Sequence, residues 1–157
     1  MRFGWCIFPI FALAGCASQP VIAPHGVVSN NPCIDAVLAE IALPGQVTAI
    51  SSYSHDPDSA SAPLPWSAKL PAIGTGAEEL LLARPKLVLT GNLAASGANA
   101  VLARAGVKTV AIGVAPTIAE DIQQIRTIAA ALGRVDAGEA LISDIEESLP
   151  DSQISGL

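Results

Sequence analysis

Aromatic residues and charge are both scarce in this sequence. Phe, Trp and Tyr make up 4% of its 157 residues, and charged residues 14%. The basic side is the poorer one: 8 Lys and Arg stand against 14 Asp and Glu, a formal net charge of -6. A chain this acidic, with no Lys/Arg cluster, is not built to grip nucleic acid. Cys6, Cys16 and Cys33 are its 3 cysteines, too few for a disulfide framework. No apolar run is long enough to span a bilayer, which excludes a multi-spanning membrane protein. What the sequence has in quantity is small aliphatic residues: it is 51% hydrophobic and holds 28 alanines. That excludes disorder, and the length suits one domain with a real core.

The first residues read as an address. Met1-Arg2-Phe3 carries a single positive charge, an apolar stretch follows from Gly4 to Leu13, and Leu13-Ala14-Gly15-Cys16 closes it. A cationic start, an apolar core and small residues at a cleavage point make an export signal over residues 1–15. Leu-Ala-Gly-Cys also resembles a bacterial lipobox, which implies that Cys16 is the site of lipid attachment; a plain secretory signal cleaved nearby is the alternative. Residues 16–26, with Pro20, Pro24 and Gly26 and no periodicity, read as a tether.

The remainder alternates strand and helix. Val27-Val28-Ser29 is a β-branched run, Asn31-Pro32 starts a helix to Ile41, and Val47 to Ile50 is a second strand. Ser51 to Ile73 is long, polar and rich in proline, which predicts a functional loop. Thr75-Gly76-Ala77-Glu78 matches a capping box for a helix to Arg84. Leu87-Val88-Leu89 is a third strand, Ser96 to Ala105 a helix, and Thr109 to Ile112 a fourth strand. Thr117-Ile118-Ala119-Glu120 is a second capping box; Ile118, Ile122, Ile125, Ile128 and Leu132 then mark one helical face that ends at Gly133. Asp136 opens a last helix to Leu149, and residues 150–157 form a polar tail. The order predicts an α/β domain with a parallel sheet of about four strands flanked by helices. Ligands of such sheets sit at the carboxyl ends of the strands. Here those ends are Ser29-Asn30-Asn31, Ser51 to Asp56, Thr90-Gly91-Asn92 and Gly113 to Pro116.

No catalytic constellation stands out. There is no Gly-x-Ser-x-Gly elbow and no phosphate-binding loop, and Gly74-Thr75-Gly76 lacks the third glycine of a dinucleotide fingerprint. His55 and Asp56 could contribute to a metal site only with ligands from elsewhere, and they read equally as a turn. Cys33, without a second Cys or a base beside it, reads as a small buried hydrophobe. Tyr53 and Trp66 lie in one loop of a chain poor in aromatics; they either stack on a flat ligand or plug the loop onto the domain.

An ordered series of motifs resembles a family. Val27-Val28-Ser29-Asn30-Asn31-Pro32-Cys33, Ala49-Ile50-Ser51-Ser52-Tyr53-Ser54-His55-Asp56-Pro57, Pro71 to Gly74 and Leu80 to Leu89, Ala105 to Val110 and Ile128 to Arg134 follow one another. In this order they resemble the periplasmic substrate-binding proteins of ABC importers for cobalamin, haem and ferric siderophores. The resemblance implies a Rossmann-like lobe over residues 27–134 and the start of a long connecting helix over residues 135–149. It implies ligand contacts from Asn31, Tyr53, Ser54, His55, Trp66 and Asn92, and a contact of Glu78 with the ABC permease. It implies a periplasmic or cell-envelope location, no catalysis and no cofactor. Family members have two lobes, and this sequence covers one, so a truncated reading is expected, with Leu141, Ile142, Ile145 and Leu149 short of packing partners. Two other readings remain beside it: a single-lobe envelope interaction protein, and a metal-using reductase built on His55 and Asp56.

Overall fold

A computed structural model of the chain describes residues 26–91 and 95–150. The expected signal, the expected lipid-attachment residue Cys16, Asn92 and the last seven residues lie outside the described residues. Strand β1 (Val27–Ser29) leads to helix α1 (Pro32–Ile41), then to strand β2 (Val47–Ser51) and a 3-10 turn (Ser52–His55). Helix α2 (Leu64–Ser67) precedes strand β3 (Ala72–Ile73), helix α3 (Ala77–Leu82) and strand β4 (Leu87–Gly91). Helix α4 (Ala95–Arg104), strand β5 (Lys108–Ile112), helix α5 (Ile118–Leu132) and helix α6 (Val135–Ser148) complete it.

The strands form one parallel sheet in the order β3-β2-β1-β4-β5. Its fifth strand, β3, lies inside the segment whose prolines predict loop; two residues are too few for alternation to reveal. Because helices cover both faces, the central strands are apolar throughout: β4 is buried at every position. One core joins Ile34, Leu38 and Ile41 of α1 to Val27, Ile50, Leu89, Ile128 and Leu132. The other joins Val28, Ala49 and Val88 to Leu80 of α3 and Leu102 of α4.

The helix ends show how local chemistry fixes the frame. Asn31 Oδ1 accepts from the N–H groups of Cys33 (2.9 Å) and Ile34 (3.3 Å), and Pro32 occupies the first turn, where no N–H is needed. Thr117 caps α5 through the Glu120 N–H at 3.2 Å, and Gly133 ends it at φ +70°. Two sequence expectations are corrected. α3 starts from Gly76 without a side-chain cap; the carboxylate that turns back is Glu79, which accepts the Gly74 N–H at 2.7 Å. α6 starts at Val135, one residue ahead of Asp136, with no side-chain cap.

The apolar face of α6 is covered in part. Ile142 packs with Ile122 and Ile125 of α5, and Leu141 and Ile145 join this cluster. Gly138 allows the approach, since a Cβ there would collide with the Ala129 side chain. The expected shortage of packing partners is therefore corrected for Ile142, which is buried where α6 folds back onto α5, while Leu141, Ile145 and Leu149 are half-buried.

Candidate functional site

The chain runs from β1 outward through β2 to β3, then crosses to the other side of β1 for β4 and β5. The order reverses between β1 and β4, so their carboxyl ends diverge and leave a crevice. A pocket of about 200 Å³ lies there, lined by Asn30, Asn31, Tyr53, Thr75, Gly91 and Gly113 among others. Each comes from the carboxyl end of a strand or the turn beyond it. Gly91 is required by proximity: a Cβ there would come within 2.7 Å of Asn31 Nδ2.

Tyr53 projects from the 3-10 turn with 55% of its surface exposed, and it is the one aromatic among the described lining residues of the pocket. The turn is held from beneath by Asp35 of α1, which is fully buried. Asp35 Oδ2 accepts from the Ser51 N–H at 3.0 Å and from the Ser54 hydroxyl at 2.6 Å. Its Oδ1 has no hydrogen-bond partner among the described residues. Burial pushes the Asp35 pKa above the usual carboxylate value, opposed by the neighbouring Ser29 and Ser54 hydroxyls, the Ser51 N–H and the charge of His55. The fixed turn presents Tyr53 to the crevice.

The expected site residues therefore separate. Asn31 and Tyr53 meet at the pocket. Ser54 is buried and bonded to Asp35, so it supports the turn from below. His55 is exposed at the end of the same turn, outside the pocket lining. Trp66 does not join them. It packs against the first core and borders a different cavity with Pro44, Val47 and Lys69, where β2 begins. Of the two readings of Trp66, the geometry gives the plug. Cys33 is exposed, which corrects its reading as a buried hydrophobe. Glu78 is exposed in the first turn of α3, and no hydrogen bond or ion pair engages it among the described residues.

Sequence reasoning placed Asn30 at a strand end without naming it a ligand contact, and it missed Thr75 and Asp35. Thr75 follows β3, a strand too short to be read from alternation, and no local pattern marks Asp35, because its partners lie 16 and 19 residues away. Among the described residues, no group of three or more His, Cys, Asp or Glu side chains is placed to hold a metal ion. No described helix is long and apolar enough to cross a membrane.

Charge is divided across the sheet. Asp56, Glu78, Glu79, Glu120 and Asp121 lie at the carboxyl edge, four of them in first helical turns where acids suit the helix dipole. Lys86 and Lys108 sit where β4 and β5 begin, with Arg84 and Arg104 just ahead of them. Lys69 borders Val47, Arg134 donates to the Ile41 carbonyl at 3.0 Å, and Arg126 pairs with Glu139 at 2.8 Å. Among the described residues, no Lys or Arg lines the pocket.

The sequence profile of the periplasmic binding protein family matches residues 27–153. The chain belongs to this family. Its members' fold recurs in three solved structures similar to this one. A periplasmic heme-binding protein from Pseudomonas aeruginosa is 18% identical with a TM-score of 0.66, over 79% of this chain and 44% of that one. The periplasmic heme-binding protein RhuT from Roseiflexus sp. RS-1 is 27% identical with a TM-score of 0.64, over 80% and 47%. The periplasmic vitamin B12-binding protein BtuF of Vibrio cholerae is 17% identical with a TM-score of 0.61, over 80% and 49%. The chain thus spans about half the length of these structures. A comparison with curated proteins gives no match.

Proposed function

We propose that this chain is the extracytoplasmic solute-binding component of an ABC importer for a cobalamin or an iron-chelate ligand, and that it forms one wall of the binding cleft. The observation that carries the reading is the pocket at the strand-order reversal with Tyr53 exposed beside it. A flat macrocycle suits that aromatic face, and Gly91 and Gly113 leave room beside the strand ends. The heme- and B12-binding proteins that share the fold support this choice of ligand class. Tyr53 and His55 are also side chains of the kind that ligate haem iron. In this reading the chain binds and releases and performs no catalysis. Cys16 carries the lipid that holds it to the membrane, and Glu78, exposed and unpaired, meets a basic surface of the permease.

Equilibrium titration with cyanocobalamin, hemin and a ferric siderophore tests the reading. Binding of at least one is expected, weakened roughly tenfold or more by Tyr53→Ala, the cost of one lost aromatic contact. Failure of all three to bind contradicts it. The permease contact is tested separately: Glu78→Arg should reduce association with permease-containing vesicles while leaving the melting temperature in place. A fall in melting temperature with docking unchanged would make Glu78 a helix-end charge alone.

A further inference from the structure

From Leu80 to Ala119 the sequence holds no Asp or Glu, and its only charges are Arg84, Lys86, Arg104 and Lys108. They are too far apart in sequence to read as a cluster, but the fold gathers them at the amino edge of the sheet. Leu87 pairs with Lys108 across β4 and β5. Leu80 of α3 and Leu102 of α4 share one core with Val88, and Ala83 and Val107 pack against it. Arg84, Arg104 and Lys108 thus flank that core where α3 and α4 finish and β5 begins. All four bases are exposed, and none is in a salt bridge among the described residues. Leu82, the last residue of α3, is 81% exposed two residues before Arg84. Bases without acids beside an exposed leucine suit an anionic lipid surface, where headgroups take the charge and the apolar side chain enters the interface.

The chain enters the domain at this same edge. β1 begins at Val27, which pairs with Leu87, and the Gly26 carbonyl accepts the Lys86 N–H at 3.0 Å. Neighbouring strands lie about 4.8 Å apart, which puts the entry about 10 Å from Lys108. Cys16 stands ten residues before Gly26, a reach of at most about 35 Å. The acids of the carboxyl edge are a five-residue strand away, about 16 Å, or two Debye lengths at physiological salt. The acids of the amino edge, Glu40 and Asp136, lie on the α1 side near Arg134, which is bonded to the Ile41 carbonyl. We propose that the amino edge docks on the anionic phospholipid surface of the membrane through Arg84, Lys86, Arg104 and Lys108, with Leu82 entering the interface. Docked in this way, the chain turns its carboxyl-edge pocket and Glu78 away from the bilayer. The posture serves ligand capture, and contact with the permease requires its release. The proposal rests on the lipid-anchor reading of Cys16 for the nearness of the membrane.

Co-sedimentation of the full chain with vesicles tests this, comparing phosphatidylcholine alone with about equal parts of phosphatidylcholine and phosphatidylglycerol. A lipid anchor binds both, so the excess on anionic vesicles reads the edge, and binding to neutral vesicles reads the anchor separately. The excess should be roughly tenfold at low salt and should shrink as salt rises. Lys86→Gln with Lys108→Gln should remove most of it. Lys69→Gln with Arg126→Gln, which removes the same charge elsewhere, should leave it in place. All four side chains are exposed, so the melting temperature should hold in both variants. Leu82→Gln should weaken binding to anionic vesicles roughly threefold at unchanged charge. Equal binding to the two kinds of vesicle, or an equal loss from the two double variants, overturns the proposal. Neither result touches the solute-binding reading, which ligand titration tests by itself.

Discussion

Asp35 is the residue through which the α1 helix controls the candidate site. One buried oxygen takes both the Ser51 N–H and the Ser54 hydroxyl, so the turn that carries Tyr53 is tied to the helix by a single group. Its pKa is raised by burial from 3.8, so the folded state holds the proton more tightly than the unfolded chain. The stabilisation it gives is complete below pH 3.8 and is lost as pH rises through the raised value. Melting temperatures measured from pH 4 to 7 should therefore include a decline that Asp35→Asn removes, because the amide keeps an acceptor and never ionises. Asp35→Leu should cost about 1–3 kcal/mol at neutral pH by stranding the Ser51 N–H and the Ser54 hydroxyl. An Asn variant less stable than the Leu variant would contradict this account. Trp66 illustrates the opposite case: scarcity made it conspicuous in the sequence, but its position beside Val47 and Pro44 makes its emission a probe of folding rather than of occupancy.

At the scale of elements, α6 shows where sequence reasoning reaches and where it stops. Its apolar spacing was legible, as was that of α5, because a 3.6-residue period needs no tertiary information. What covers it was not legible, since that depends on Gly138 lying against Ala129, a contact between two small residues in different helices. The same division holds for the caps. Asn31, Thr117 and Gly133 act within four residues and could be read directly. The choice between Glu78 and Glu79 at α3 could not, because Gly74 bends back to meet one of two adjacent acids. For the site, the strand ends were legible from the alternation of elements, and Asn31 and Tyr53 fell there. Asp35 was not, because its role arises only when α1 docks on β2. Ile142→Ala should destabilise the chain by about 2–5 kcal/mol, measured by denaturant unfolding, as expected for a buried aliphatic truncated at a packed helix pair. Gly138→Val should also destabilise it by pushing α6 from α5; a neutral result at both positions would show that α6 does not pack as described.

For the whole molecule, the parallel sheet sets both topology and polarity. Helices that start at the carboxyl edge place acids in their first turns, and strands that start at the other edge have the bases beside them. The dipoles favour this arrangement. It leaves the crevice between β1 and β4 at the acid-rich end of the domain. Family membership, the strand-order reversal and the exposed Tyr53 together locate ligand capture at that crevice in our account. Hydrogen–deuterium exchange with and without saturating cyanocobalamin or hemin tests this most directly. The account expects slowed exchange in residues 29–34, 51–56, 74–76 and 112–115, the segments around the pocket. Slowed exchange confined to residues 42–47 and 64–70, around Trp66 at the opposite edge, would contradict it.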